Sequence, residues 1–177
     1  MRYRYCPECG EKLTRKKAGD NGMVPYCRSC DKLWFDTFKG CVIVLVYDQY
    51  EEMVLTKQSH LSMEYTTITS GFMCPGETAE ESAKREVEEE LGLKIKELEY
   101  GGTHWFPNED MLMHAFLAYV PKRKLVPSQE VAEAYGVPVR EATKTMFPDR
   151  PGNAMYALYR MLLKKLGIKE KDVIPKK

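Results

Sequence analysis

Apolar residues along the chain change their period several times, and each change marks an element. Residues 41–48 form a continuous apolar run, Cys41-Val42-Ile43-Val44-Leu45-Val46-Tyr47, which predicts a buried strand. Residues 52–58 alternate around Met53 and Leu55, which predicts a second strand joined to the first by a hairpin across Asp48–Glu51. Residues 65–73 are rich in β-branched side chains and predict one further strand, stopped by Pro75-Gly76. The period then becomes helical. Thr78 is a helix cap, Glu81 completes a capping-box pattern, and the helix runs to Leu91 before Gly92 ends it. Strands follow near 94–103 and 111–120, and Pro151 precedes a last helix over about 152–166. The lysine-rich stretch after Gly167 is expected to be solvated and frayed. Strands interleaved with helices predict an α/β domain with a mixed sheet between helices.

The first 36 residues break this pattern, holding too few apolar side chains to build a core. They carry two cysteine pairs instead, Cys6-Pro7-Glu8-Cys9 and Cys27-Arg28-Ser29-Cys30, separated by seventeen residues. That spacing reads as a structural Zn²⁺ site of four thiolates, whose binding energy would fold the segment. A redox pair is the other reading, but it needs a strand-to-helix setting that a Gly/Lys-rich stretch does not offer. The expected division is therefore a zinc ribbon over 1–36, a main α/β domain over 37–170, and a flexible tail over 171–177. Cys41 and Cys74 stand apart from the pairs and read as small buried hydrophobes.

Composition narrows the function classes. The net charge of +1 gives no global basic field for nucleic acid, although Arg2, Arg4, Lys12, Arg15, Lys16 and Lys17 make the ribbon locally basic. The longest apolar run is far too short to cross a bilayer. No apolar signal segment follows Met1, so a cytoplasmic protein without membrane contact is expected, in a compartment where clustered thiols favour metal over disulfides.

The candidate chemistry lies on the capped helix. Glu86, Glu89 and Glu90 stand at i, i+3 and i+4, on one face of a helix turning about 100° per residue. Like charges at that spacing repel, so the cluster costs stability unless a cation neutralises it. Hard carboxylate oxygens select Mg²⁺ or Mn²⁺, held together with substrate phosphates. The alternative is a solvated acidic face. Glu77, just before the helix, is placed to pair with Arg85 and lock loop to helix.

These residues form a longer motif. From Gly71, five residues lead to Glu77, seven more lead to Arg85, and Arg85-Glu86-Val87-Glu88-Glu89-Glu90-Leu91-Gly92-Leu93 completes it. The stretch resembles the Nudix box, matching it at every fixed position. Seven such identities would coincide by chance on the order of once in 10⁸ placements. The resemblance implies the Nudix fold and a loop–helix motif in which Glu86, Glu89 and Glu90 hold divalent metal against a diphosphate. A carboxylate would then take the proton of an attacking water. Gly71 is expected to serve a sharp turn.

A cysteine ribbon followed by this box resembles the NADH pyrophosphatase branch of the family, whose members split NAD(H) into nicotinamide mononucleotide and AMP; related enzymes remove NAD caps from RNA. Thr103-His104-Trp105-Phe106-Pro107 lies where that branch carries a Ser-Gln-Pro-Trp-type signature, and Leu112-Met113-His114-Ala115-Phe116 keeps its ending. By this resemblance Trp105 and Phe106 are candidates to stack on a base, or else strand-end core. Glu130 matches a further metal-binding or basic glutamate, and Ala154 a small pocket-lining residue. His104 is a weaker candidate contact, and His60 and His114 weaker still. A small nucleotide, or NAD-capped RNA, is the implied substrate, and a homodimer the implied assembly. ADP-ribose or another nucleoside-diphosphate derivative, and an RNA-contacting module, are the alternatives.

Overall fold

The computed structural model describes residues 3–58 and 62–174; Arg2, His60 and residues 175–177 lie outside them. The chain divides into two compact units, Met1–Lys39 and Gly40–Lys177. In the first, β1 (Thr14–Lys17), β2 (Met23–Cys27) and β3 (Lys32–Leu33) form a small antiparallel sheet in the order β1-β2-β3. Its apolar interior is thin: Cys6, Val24 and Cys27 are the buried hydrophobic residues among those described there.

The second unit is built on a sheet in the order β10-β5-β4-β9-β8. Its strands are β4 (Lys39–Tyr47), β5 (Glu52–Gln58), β8 (Glu97–Phe106), β9 (Met111–Tyr119) and β10 (Glu133–Pro138); β6 (Ser62–Thr67) pairs β5 and β7 (Thr69–Phe72) pairs β4. The continuous apolar run of β4 has a direct cause. Val42, Val44 and Val46 pack with Ala83, Val87 and Leu91 of α1 (Ala79–Leu91). Ile43, Leu45 and Tyr47 pack with Leu158, Tyr159 and Leu162 of α2 (Ala154–Lys165). A strand covered on both faces has no polar side to alternate with. Side chains with no exposure, such as Leu45 and Leu55, each contribute roughly 1.5–3 kcal/mol of burial.

Several elements differ from the expectation. The single strand over 65–73 is two, because the chain leaves β5 after Thr67 and joins β4 from Thr69, with the buried Ile68 between them. Strand β10 was not expected at all. It contains Gly136 and ends at Pro138, and it pairs β5 from Glu133↔Lys57 to Pro138↔Glu52. The stretch after Gly167 does not fray where described. Ile168 and Val173 are buried in the core beneath α2, a short 3₁₀ turn spans Glu170–Asp172, and Thr143 Oγ1 donates to Val173 O at 2.8 Å. Among the described residues no helix is long and apolar enough to cross a membrane.

Candidate active site and metal centres

Two neighbouring stripes of α1 do different work. Ala83, Val87 and Leu91 recur at i, i+4 and i+8 and face the core. Beside them Ser82, Glu86 and Glu90 form a second buried stripe. The helix holds this arrangement because both its ends are fixed. Thr78 caps it with φ −76° and ψ 162°, in a reciprocal capping box with Glu81. Gly92 closes it in the left-handed conformation at φ 68°. A side chain there would also strike Val126, 2.8 Å from the site of its Cβ.

The buried carboxylates are held by different donors. Glu86 is 8% exposed, and its Oε1 accepts from Arg85 Nη1 at 2.7 Å. Glu90 is 4% exposed, and its Oε1 accepts from Gln58 Nε2 at 3.0 Å. Glu90 Oε2 and the Thr69 hydroxyl are both buried without a well-formed hydrogen bond, although the nearby hydroxyl favours the charged carboxylate. Burial pushes the Glu90 carboxyl up to about 7, and the charges of Glu86 and Glu130 add to the rise. Burial likewise raises Glu86. Glu89 lies at the open rim, where Arg85 Nη1 reaches it at 2.9 Å. Glu86 and Glu90 thus share the buried flank while Glu89 borders it.

Arg85 ties the loop to the helix. Its Nε and Nη2 donate to Glu77 at 2.6 and 3.0 Å, and Nη2 also reaches Phe72 O at 3.0 Å. The guanidinium and the Cys74 N–H hold the Glu77 carboxyl down to about 2. Gly71 does something other than turn the chain. It sits inside β7 opposite Val42, and its φ is not in the left-handed region. A Cβ there would fall inside the Glu86 carboxylate, so the glycine permits close approach of strand and carboxylate. The turn is made later, at Gly76 with φ 93°.

Glu130 comes from a loop stitched to the end of α1. Val126 N donates to Leu91 O at 2.9 Å and Ser128 N to Glu90 O at 3.1 Å. Glu130 is exposed on this loop, and its charge is felt at both Glu86 and Glu90. Trp105 and Phe106 are 48% and 41% exposed at the end of β8, so neither is core. Ala154, the first residue of α2, is buried against the core, and its neighbours Asn153 and Ala157 line the adjacent cleft. That cleft, of about 540 Å³, is also lined by His104, Arg150 and Arg160; the Nε2 atom of His104 is itself buried without a hydrogen-bond partner. Gln58 was missed by the sequence reading. Its signal is parity: it follows Val54 and Thr56 on the β5 face toward α1, where a large polar residue needs a partner.

In the first unit the four thiols of Cys6, Cys9, Cys27 and Cys30 converge. Their sulfurs all lie within 4.8 Å of one another, with Cys6–Cys30 at 3.9 Å and Cys9–Cys27 at 3.5 Å. Tetrahedral zinc with bonds of about 2.3 Å needs sulfurs about 3.8 Å apart, so the set fits. Among the described residues it is the one group of possible ligands gathered this closely. The glutamates are not gathered as closely, and Arg85 Nη1 bridges Glu86 and Glu89. Their fit to a divalent cation rests on oxygen-only donors, the buried Glu90 Oε2 short of a well-formed hydrogen bond and the cradle opened by Gly71.

Comparison with known proteins places these features in a family. The NUDIX domain family model matches residues 37–158. The chain is 33% identical over 132 residues to the NAD-capped RNA hydrolase NudC of Vibrio vulnificus, covering 74% of this chain and 49% of that protein. It is 27% identical over 174 residues to the NAD-capped RNA hydrolase NudC of Pseudomonas entomophila, covering 98% of this chain and 60% of that protein. The chain therefore spans about half the length of the curated relatives it matches. A crystal structure of a NUDIX hydrolase from Nitrosomonas europaea shares the fold, with a TM-score of 0.67, 18% identity and 94% of each chain covered. From the box on its capped helix and the match across most of its length, the chain belongs to the Nudix hydrolase family.

Proposed function

We propose that this protein hydrolyses the diphosphate bond of a nucleoside diphosphate derivative, with NAD(H), split into nicotinamide mononucleotide and AMP, as the leading substrate. The observation that carries the reading is the pair of buried carboxylates, Glu86 and Glu90, on one helix face, with Glu90 Oε2 short of a well-formed hydrogen bond. A buried acceptor short of a donor is costly, and a cation would satisfy it. Glu86, Glu89 and Glu90, with Glu130, would hold Mg²⁺ or Mn²⁺. When bound, the metal neutralises diphosphate oxygens and activates a water for in-line attack on phosphorus. The protein's own part is positioning. Arg85 and Glu77 lock the loop, Gly71 lets Glu86 lie against β7, and Glu89, Glu90 and Glu130 are the candidates to accept the water's proton, Glu89 with one oxygen held by Arg85 and Glu130 exposed on its loop. Trp105 and Phe106 offer exposed rings for a base. The cleft beside α2 has the size of a ligand recess. The four thiols would hold a structural Zn²⁺ with no open coordination position, so the ribbon supplies no chemistry.

NAD as substrate is supported by the similarity to proteins named NAD-capped RNA hydrolases. The test is incubation with Mg²⁺ and NADH, NAD⁺, ADP-ribose, FAD or a NAD-capped RNA. Cleavage of NADH or NAD⁺ is expected; if both stay intact while another is cut, the substrate assignment fails. Glu89→Gln and Glu90→Gln should each lower turnover on the order of a hundredfold or more without unfolding the chain. Unchanged turnover in both removes the metal-site reading. A second reading, RNA contact through the ribbon, is favoured by exposed Lys12, Arg15 and Lys17. It predicts RNA affinity that falls steeply with salt, and salt-insensitive or absent binding eliminates it.

A further inference from the structure

We propose that Gln58 is a positioning residue for the metal site: its amide pins one oxygen of Glu90 so that the other stays aimed at a divalent cation. The inference rests on the carboxylate-site reading above and extends it to a residue outside the box. Gln58 is the last residue of β5, 5% exposed, and its side chain meets Glu90 of α1 at 3.0 Å. An ionised carboxylate only accepts, so the amide must present its Nε2. That satisfies Oε1 and leaves Oε2 buried with no well-formed hydrogen bond, the Thr69 hydroxyl being a nearby donor. The last torsion of a glutamate is broad and two-fold, so an unrestrained carboxylate swaps its oxygens and swings. The Gln58 amide removes that freedom.

The strand is paired on both edges here, with a register shift against β6 between Thr56 and Gln58. Lys57 pairs with Glu133 of β10, Ala132 N donates to Lys57 O at 2.9 Å, and Gln58 pairs with Ser62 of β6. Glu86 has its own fixing donor, Arg85, and lies against Gly71. The two buried carboxylates are therefore held by donors of different charge. A cation beside Glu90 would oppose a bound divalent ion, whereas a neutral amide orients the ligand without competing for its charge.

The experiment is a Mn²⁺ titration of the full chain, without substrate, followed by electron paramagnetic resonance. Wild type, Gln58→Met, Glu90→Gln and the double variant are compared, with circular dichroism as the check on folding. Gln58→Met keeps the bulk and removes the donor, and is expected to weaken Mn²⁺ binding about tenfold. In the Glu90→Gln background the same change should add little, because its target is gone. A parallel rise in the Mg²⁺ concentration needed for half-maximal turnover is expected, larger than the fall in kcat. The proposal is overturned if folded Gln58→Met binds Mn²⁺ within about twofold of wild type, or if its effect is fully additive with Glu90→Gln. If wild type itself binds no Mn²⁺, the carboxylate-site reading falls and takes this proposal with it. Should Gln58→Met not fold, Gln58→Asn, one methylene too short to reach, is judged by the same criteria.

Discussion

Arg85 is the residue on which loop and helix meet, and its bond to Glu77 makes a prediction about pH. The folded-state carboxyl of Glu77 sits at about 2, below its ordinary 4.5, because the guanidinium and a backbone N–H favour its charged form. The folded state therefore binds this proton less readily than the unfolded one. The stabilisation is complete above the ordinary value and is lost as pH falls from about 4.5 toward about 2. Glu77→Gln should melt below wild type at pH 6, and the gap should narrow as the buffer is taken through that window; a gap constant with pH would refute the assignment. Gly71 makes a second prediction. Alanine there places a methyl group where the Glu86 carboxylate now lies. Overpacking of this kind costs about 1–3 kcal/mol, and because the displaced atoms belong to a candidate ligand, the Mg²⁺ requirement should rise with it. Denaturant unfolding and Mg²⁺ titration of Gly71→Ala measure the two effects; an unchanged Mg²⁺ requirement would separate Gly71 from the site.

The helix α1 shows which elements a sequence can declare. Its start, end and register are local: Thr78 and Glu81 cap each other, Gly92 adopts φ 68°, and Ala83, Val87 and Leu91 fall on one stripe. Thr78→Ala removes the capping acceptor and should cost about 1 kcal/mol in urea unfolding, with turnover of the folded enzyme kept, since Thr78 is not aimed at the carboxylates. A loss of turnover without loss of stability would contradict this. The elements that were not legible depend on distant partners. β10 carries Gly136 and Pro138, both poor strand formers, and exists because β5 offers it an edge. The break at Ile68 falls where successive halves of one β-branched segment pair with two different neighbours, β5 and then β4. The site divides the same way. The box and its spacing named the carboxylates and Arg85, but the close approach at Gly71, the contact of Gln58 with Glu90 and the burial of Ala154 are tertiary facts.

At the scale of the whole molecule the two units differ in what can hold them together. Residues 40–177 contain two apolar clusters, one on each face of the sheet, and own the material of a self-sufficient core. Among the described residues of the first unit, the buried apolar side chains are Val24 and two cysteines, and small segments of this kind fold on metal. The four thiols within 4.8 Å of one another are the feature able to replace a core there. Withdrawal of zinc should therefore unfold one unit and spare the other. Treatment with a zinc-selective chelator in excess Mg²⁺, followed by hydrogen exchange, should abolish amide protection over residues 3–38 and leave β4, α1 and α2 protected. Cys27→Ser should reproduce the pattern without a chelator. Protection retained in the first unit would mean that its fold does not depend on the metal. Protection lost from both would mean that the second unit's clusters, large as they are, do not suffice on their own.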